Sequence, residues 1–358
     1  MKAIKYIMTM LAAIASISAL GQDVASPQKA VDGYFECRAI AEAHVEDLIP
    51  SQETVDSTCY LWGANFGIIF KGNNFFDNFE QINILRLLTG LETAMEVGEP
   101  TNIYGIDEEW ANRFEISPYE MNTILNNHIT ARNNCQSISK EATDSTCYLL
   151  GVNLGMMFRG NGFFEKSSEI NIGELLAGIK DGIKAGEPKN ANEEDLEWAA
   201  MFEISPYKIS EFLNSFLAAR QVYKKELNQK TEDYFLIVNA KREGVKKTES
   251  GLQYIIHSEG EAEKPLATDC VTTNYIGYTL DGTVFDDAED ISFELNHVIE
   301  GWQEGIKLIG KGGKITLFVP SELAYGEKGV KNAIEPCSLL VFEVELIGIE
   351  HKSNVEQE

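Results

Sequence analysis

Val298-Ile-Glu-Gly-Trp302, Gly310-Lys-Gly-Gly-Lys314 and Ser321-Glu-Leu-Ala-Tyr-Gly326 follow one another near the C-terminus of the 358-residue chain. Val298 and Ile299 are apolar, Gly301 precedes a lone aromatic, Trp302, and Ile306, Leu308 and Ile309 continue at helical spacing. A short helix opening near Gly301 would turn the indole inward. The glycine-rich stretch lacks the spacing of a phosphate-binding loop and reads as a turn. It leads into a strand at 315–319 that stops at Pro320, which has no N–H for a ladder. Upstream, 271–280 alternates as a strand and contains Tyr275. Asp281-Gly282 is a hairpin signal, and Phe285-Asp286 and Phe293 come after it. Downstream, 338–349 reads as one long apolar strand with Phe342 near its start.

In this order and spacing, Tyr275, Phe285-Asp286, Phe293, Val298-Ile299, Trp302, Tyr325 and Phe342 resemble the FKBP-type peptidyl-prolyl cis-trans isomerase domain, over about 250–350. Taken singly, each aromatic reads equally as ordinary core; the set together with the Ala-Tyr-Gly loop reads as a pocket. The resemblance implies an antiparallel β-sheet wrapped on a short helix. It implies substrate-binding walls from Phe285, Phe293, Val298, Ile299, Ile334 and Phe342, with Trp302 as the floor. It implies catalytic roles for Tyr325, whose hydroxyl would donate to the substrate carbonyl, and for Asp286 and Tyr275. Asp286 is the one acid on the rim; it would orient Tyr275 or face the twisting carbonyl, as a tuner and not a general base. Its bland reading is a loop carboxylate capping backbone. No covalent step, metal or cofactor is implied. The following loop departs from the family: Val330 stands where many members have histidine, and of Ala333-Ile334-Glu335-Pro336 only Ile334 and Pro336 match. Glu335 would bring an acid to the pocket mouth, altering sequence preference or weakening macrolide inhibitors.

The length suits two or three domains, and a hydrophobic content of 44% suits packed cores. Lys2, Lys5, the apolar run 7–20 and Ala19-Leu-Gly21 read as a secretory signal over 1–21, with an uncleaved anchor as the alternative. The run is short for a spanning helix, and no cysteine follows closely enough for a lipid anchor. A periplasmic or secreted location follows, with no stable membrane insertion. The formal charge is −26, and loss of the two signal lysines takes it to −28. Such a surface favours solubility and repels nucleic acid and anionic lipid. Six cysteines in an exported chain permit disulfides, yet no C-x-x-C occurs, so no zinc or thioredoxin-like motif is present. The five histidines show no metal-ligand spacing.

Residues 22–52 read as a leader with one apolar helical patch at 34–48. A gapless repeat follows, offset by 88 residues. Asp56-Ser-Thr-Cys-Tyr-Leu61 returns as Asp144-Ser-Thr-Cys-Tyr-Leu149, and Glu115-Ile-Ser-Pro-Tyr119 returns as Glu203-Ile-Ser-Pro-Tyr207. Such a period marks duplication of a folded unit, here 53–133 and 141–243. Each copy predicts three main helices and a short one. The first carries paired glycines, Gly63 and Gly67 or Gly151 and Gly155, explicable if another helix crosses close to that face. The second has the stripe Ile84, Leu87, Leu88, Leu91 and Met95, copied as Ile172, Leu175, Leu176, Ile179 and Ile183. The short helix presents Trp110 and Phe114, copied as Trp198 and Phe202. The third opens with Ser117-Pro118 as cap and first turn, with Glu120 completing a capping box that Lys208 replaces in the copy. In the second copy no breaker stands between Tyr207 and about Glu243, a helix of roughly 55 Å.

The expected architecture is α+β multidomain: tandem helical repeats, a long connecting helix, an isomerase domain at 244–350 and a tail at 351–358, with 244–358 expected to fold alone. The order of signal, helical domain, long helix, Ser250-Gly-Leu-Gln-Tyr254 and isomerase domain resembles the Mip-like (macrophage infectivity potentiator) branch of exported bacterial FKBPs, whose helical domain is a dimerisation module. Two linked copies of one apolar face predict an internal pseudo-dimer, with a homodimer through either copy as the alternative; Cys59 and Cys147 would approach each other if they lie near its axis. The resemblance implies an exported isomerase that assists folding of proline-containing, unfolded or partly folded polypeptides. The competing expectation is a non-catalytic periplasmic chaperone or assembly module with a degenerate FKBP domain.

Overall fold

The computed structural model describes residues 31, 33–98, 108–187, 200–202, 206–330 and 333–351. The expected signal segment, the helix at Trp198, the Ser205 cap and the tail beyond His351 lie outside them. α-Helices span Tyr34–His44 (α1), Gln52–Gly72 (α2), Ile84–Val97 (α3), Glu108–Ala111 (α4), Met121–Asn133 (α5), Lys140–Gly160 (α6), Ile172–Ala185 (α7), Pro206–Asn239 (α8) and Glu300–Gly305 (α9). Strands span Lys246–Lys247 (β1), Gln253–Ser258 (β2), Cys270–Thr279 (β3), Val284–Glu294 (β4), Lys314–Val319 (β5) and Leu340–Glu350 (β6). Two compact units form: 49–221, and the residues up to Leu48 joined with those from Val222. This division departs from the expected boundaries at 52/53 and 243/244.

In the helical unit the copies pair reciprocally. The first helix of each packs on the second helix of the other, α2 on α7 and α6 on α3. A Cβ on Gly63 or Gly67 would overlap the Leu175 or Ile179 carbonyl oxygen, and one on Gly151 would overlap that of Leu87. The partner helices do the same in return: Gly178 and Gly182 lie on the carbonyls of Tyr60 and Ala64, and Gly90 on that of Tyr148. The predicted stripe faces this contact, with Leu87, Leu91, Met95, Leu175, Ile179 and Ile183 all buried.

The repeated Asp-Ser-Thr-Cys motif acquires a reason here. Asn83 and Asn171 cap α3 and α7 by accepting from the N–H of Arg86 (3.3 Å) and Glu174 (3.2 Å). Each asparagine is held by the other copy. Asn171 donates its amide to Asp56 (2.8 Å) and its backbone N–H to the Cys59 sulfur (3.3 Å). Asn83 donates likewise to Asp144 (2.7 Å) and Cys147 (3.3 Å). Cys59 and Cys147 therefore do not pair; each serves a different helix cap, and all six cysteines are free. Burial pushes the Cys59 thiol up to about 12 and Cys147 to about 11, so neither is a thiolate near neutral pH.

Two local expectations fail. Ser117 does not cap a helix; its hydroxyl accepts from the Tyr119 N–H (3.3 Å) inside a turn, and α5 begins only at Met121. The long helix ends at Asn239 rather than near Glu243. The buried Asn239 amide donates to Gln253 (2.9 Å), and its carbonyl accepts from Arg242 (3.1 Å), which turns the chain early.

In the second unit the sheet runs β1-β2-β5-β6-β3-β4, every pair antiparallel. One face buries Leu252, Val271, Ile315, Leu317, Val319, Leu340, Val344 and Leu346 with Trp302 of α9. The alternate residues Ile255, Phe318 and Val341, with Tyr278, face the other way, against Cys37 of α1 and Phe235 of α8. α1 and the end of α8 thus form a third layer, which is why the unit boundary differs from that expected. A fragment starting at 244 would expose the fully buried Tyr278 and Phe318, so independent folding of that fragment no longer follows.

The last strand is tied down by its end. His351 contacts Asp269 (2.7 Å) and Glu263 (3.1 Å), and Asp269 also accepts from the Leu266 N–H (2.7 Å). The Asp269 carboxylate, with Glu263, raises the His351 pKa above its usual value. A raised folded pKa contributes stability that is fully present below the unfolded value of about 6.5 and is lost as pH rises through the folded value. The melting temperature of His351→Ala should fall below wild type near pH ~6 and converge on it near pH ~9. A gap that widens with pH in thermal melts would contradict the assignment.

Candidate active site

Five strand and helix positions bring their rings together. The buried Trp302 indole meets Tyr275 edge-on at 4.9 Å, Phe342 edge-on at 5.1 Å and Phe293 at 5.5 Å between centroids. Phe285 stands edge-on to Phe342 at 5.6 Å. Strand alternation and register account for this. Gly277 of β3 lies opposite Asp286 of β4 on one side and Phe342 of β6 on the other. α9 reaches the sheet closely because Gly301 and Gly305 rest on Val319 and Leu317. Val298 and Ile299 precede α9 and pack into the same cluster, and Gln303 donates to the Val298 carbonyl (2.7 Å), fixing that entry. Ile334 is buried in the cluster and is bridged antiparallel to Val330.

Two hydroxyls and one carboxylate stand at the rim. Tyr275 donates to Asp286 at 2.7 Å. Burial first, and the hydrogen bond to Asp286 next, raise the Tyr275 pKa; burial and then the Asp286 charge raise that of Tyr325. Both hydroxyls therefore remain protonated donors in the physiological range. Tyr325 is 41% exposed, in a segment that follows β5. The buried Trp302 indole N–H has no acceptor among the described residues. Thus Phe285, Phe293, Val298, Ile299, Ile334 and Phe342 gather with Trp302, Asp286 is bonded to Tyr275 beside them, and Tyr325 feels the Asp286 charge.

Residues 261–347 match the family model described as FKBP-type peptidyl-prolyl cis-trans isomerase, and 143–256 match that of the domain amino terminal to such isomerases. The FKBP-type peptidyl-prolyl cis-trans isomerase FkpA of Aeromonas hydrophila is 38% identical over 220 residues, covering 59% of this chain and 78% of that protein. The FKBP-type 22 kDa peptidyl-prolyl cis-trans isomerase of Escherichia coli is 40% identical over 179 residues, 49% of this chain and 82% of that one. The outer membrane protein MIP of Legionella longbeachae is 33% identical over 213 residues, 58% and 85% respectively.

The chain belongs to the FKBP-type peptidyl-prolyl cis-trans isomerases. It is an enzyme of X-Pro bond rotation, on a fold of helical region plus antiparallel sheet. No helix among the described residues is long and apolar enough to cross a membrane. Within this isomerase, Glu335 does not face the pocket as expected: its carboxylate is turned to Lys224 (2.8 Å) and Asn228 (3.2 Å) of α8. Gly277 was missed in the sequence. A Cβ there would lie 2.8 Å from the Phe342 ring and 2.9 Å from that of Phe285, so its absence makes room for both rings. A glycine inside a strand is a signal of close approach. Gln303 was missed too, and nothing in its local pattern marks it.

Proposed function

We propose that this isomerase is exported, acts at the Trp302 ring cage on proline-containing segments of unfolded or partly folded chains, and holds such clients on its helical unit. The observation that carries the catalytic part is the Tyr275–Asp286 hydrogen bond at the rim of a cage floored by buried Trp302. X-Pro bonds rotate over a barrier of about 18–20 kcal/mol because the planar amide is conjugated. Twisting removes conjugation and makes the carbonyl less polar. A water-poor apolar cage therefore binds the twisted amide better than the planar one, which is differential binding of the transition state. Phe285, Phe293, Val298, Ile299, Ile334 and Phe342 form the walls, Tyr325 donates to the substrate carbonyl, and Asp286 orients Tyr275. A degenerate, non-catalytic domain is disfavoured by this intact cage. The basic, apolar N-terminal segment supports export.

Tyr325→Phe and Asp286→Ala should each lower kcat/KM on a prolyl peptide by about tenfold, ~1.4 kcal/mol of transition-state stabilisation. Wild-type rates in both folded variants would refute the pocket reading.

Client holding is supported by a cleft of about 590 Å³ in the helical unit, whose apolar lining includes Trp62, Met157, Phe163, Leu213 and Leu217. Asn65, Asn161 and Asn214 at the same cleft offer amides to an extended backbone. Leu217→Ser should reduce protection of a denatured client against aggregation, followed by turbidity; undiminished protection removes the cleft from the account.

The reciprocal packing of α2 on α7 and α3 on α6 supports an internal pseudo-dimer in place of a two-chain one, since linkage makes the encounter intramolecular. Light scattering of the mature protein should return a monomer mass. A tight dimer dissociated by Leu88→Asp would reverse this.

A further inference from the structure

We propose that Glu232, Asn228 and Lys224 are positioning residues of the isomerase reaction, holding from one face of α8 the segment that presents Tyr325 and Ile334. The proposal rests on the reading of Tyr325 and Ile334 as pocket residues.

The three side chains lie at i, i+4 and i+8, one stripe of a helix. Glu232 is 4% exposed, and its carboxylate accepts from the backbone N–H of the buried Ser321 at 2.8 Å. Ser321 opens a single 3₁₀ turn at Ser321–Leu323; its carbonyl accepts from the Ala324 N–H (3.0 Å), and Tyr325 is the next residue. One turn back along α8, Asn228 donates to the Pro336 carbonyl (3.0 Å) and to Glu335 (3.2 Å). The Asn228 carbonyl accepts from Arg38 of α1 (2.8 Å), which sets the amide orientation. Lys224 pairs with the other Glu335 oxygen at 2.8 Å. The two limbs of the segment are joined by the Cys337 N–H to the Gly326 carbonyl (2.9 Å). The helix therefore holds one limb just before Tyr325 and the other just after Ile334.

Burial of Glu232 is a cost to the fold. Desolvation pushes its carboxyl up to about 7, against Asp233 as a further like charge. A buried acid that costs stability and whose strongest contact is one loop N–H is explained by what that contact fixes. Tyr325 can favour the twisted carbonyl only from within hydrogen-bond reach, and a displacement of about 1 Å at such a site costs up to ~10²-fold in rate.

The test uses full-length protein. Glu232→Ala should raise backbone amide exchange across 321–330 while leaving β5 protected, and lower kcat/KM about tenfold. Glu232→Gln, which keeps an acceptor oxygen, should restore most of both. Joined to Tyr325→Phe, Glu232→Ala should cost far less than it does alone, because both act on one hydrogen bond. Unchanged exchange across 321–330, or losses that multiply in the double variant, would overturn the assignment. Full activity of Tyr325→Phe alone would sink the pocket reading, and exchange would still decide the helix contact.

Discussion

Main chain lying directly on its neighbour, where a side chain is absent, sets the geometry of both units. Helix axes ordinarily stand about 8–10 Å apart because side chains keep them there. At Gly63, Gly178, Gly151 and Gly90 no side chain intervenes, and the backbone of one helix touches carbonyls of the next. Each helical glycine costs about 0.5–1 kcal/mol relative to alanine. Burial of Leu87, Leu91, Leu175 and Ile179 along the same contacts offsets that. The second unit uses the same device: Gly301 and Gly305 let α9 settle on Val319 and Leu317, and the indole of Trp302 is thereby brought under the sheet.

The pocket chemistry follows from what surrounds that indole. Rings at 4.9–5.5 Å leave an apolar floor, while the polar atoms stay at the rim. Tyr275 and Tyr325 are kept protonated by burial and by the Asp286 carboxylate. An uncharged floor with donors at its edge suits a reaction whose barrier is loss of conjugation, since no proton or bond need be exchanged. The Asp286 carboxylate accepts the 2.7 Å bond from Tyr275.

Reciprocity explains why the two copies remain alike where they do. Asp56 and Cys59 support the cap of α7, and Asp144 and Cys147 that of α3. A change in one copy would therefore leave the other with an unsupported helix start. Among the described residues the tie of the third helices is one-sided, His128 of α5 meeting Thr146 of the other copy (3.0 Å) with Phe216 at the matching place in α8, and they differ: α5 ends at Asn133, while α8 runs to Asn239. Residues 222–239 of α8 then have a separate partner, the layer formed with α1 over the sheet through Phe235 and Cys37.

Residue pattern alone determined the duplicated helices, the paired glycines of α2 and α6 and the strands of the isomerase unit, while the aromatic set around Trp302 was legible through its resemblance to a known family. These are signals of period, punctuation and order, which each local stretch carries in itself. Gly178, Gly182 and Gly90 were legible in principle as small residues on the predicted stripe, but their partners were not. Tertiary structure alone decided the pairing of α2 with α7, the use of cysteine sulfur as a cap acceptor and the third layer built by α1 and α8. It also turned Glu335 from the pocket to Lys224, and buried Glu232 against Ser321. Each of these depends on contacts between residues some 60 to 190 positions apart. A side chain's chemistry states what it can bond, and only packing selects which partner comes within reach.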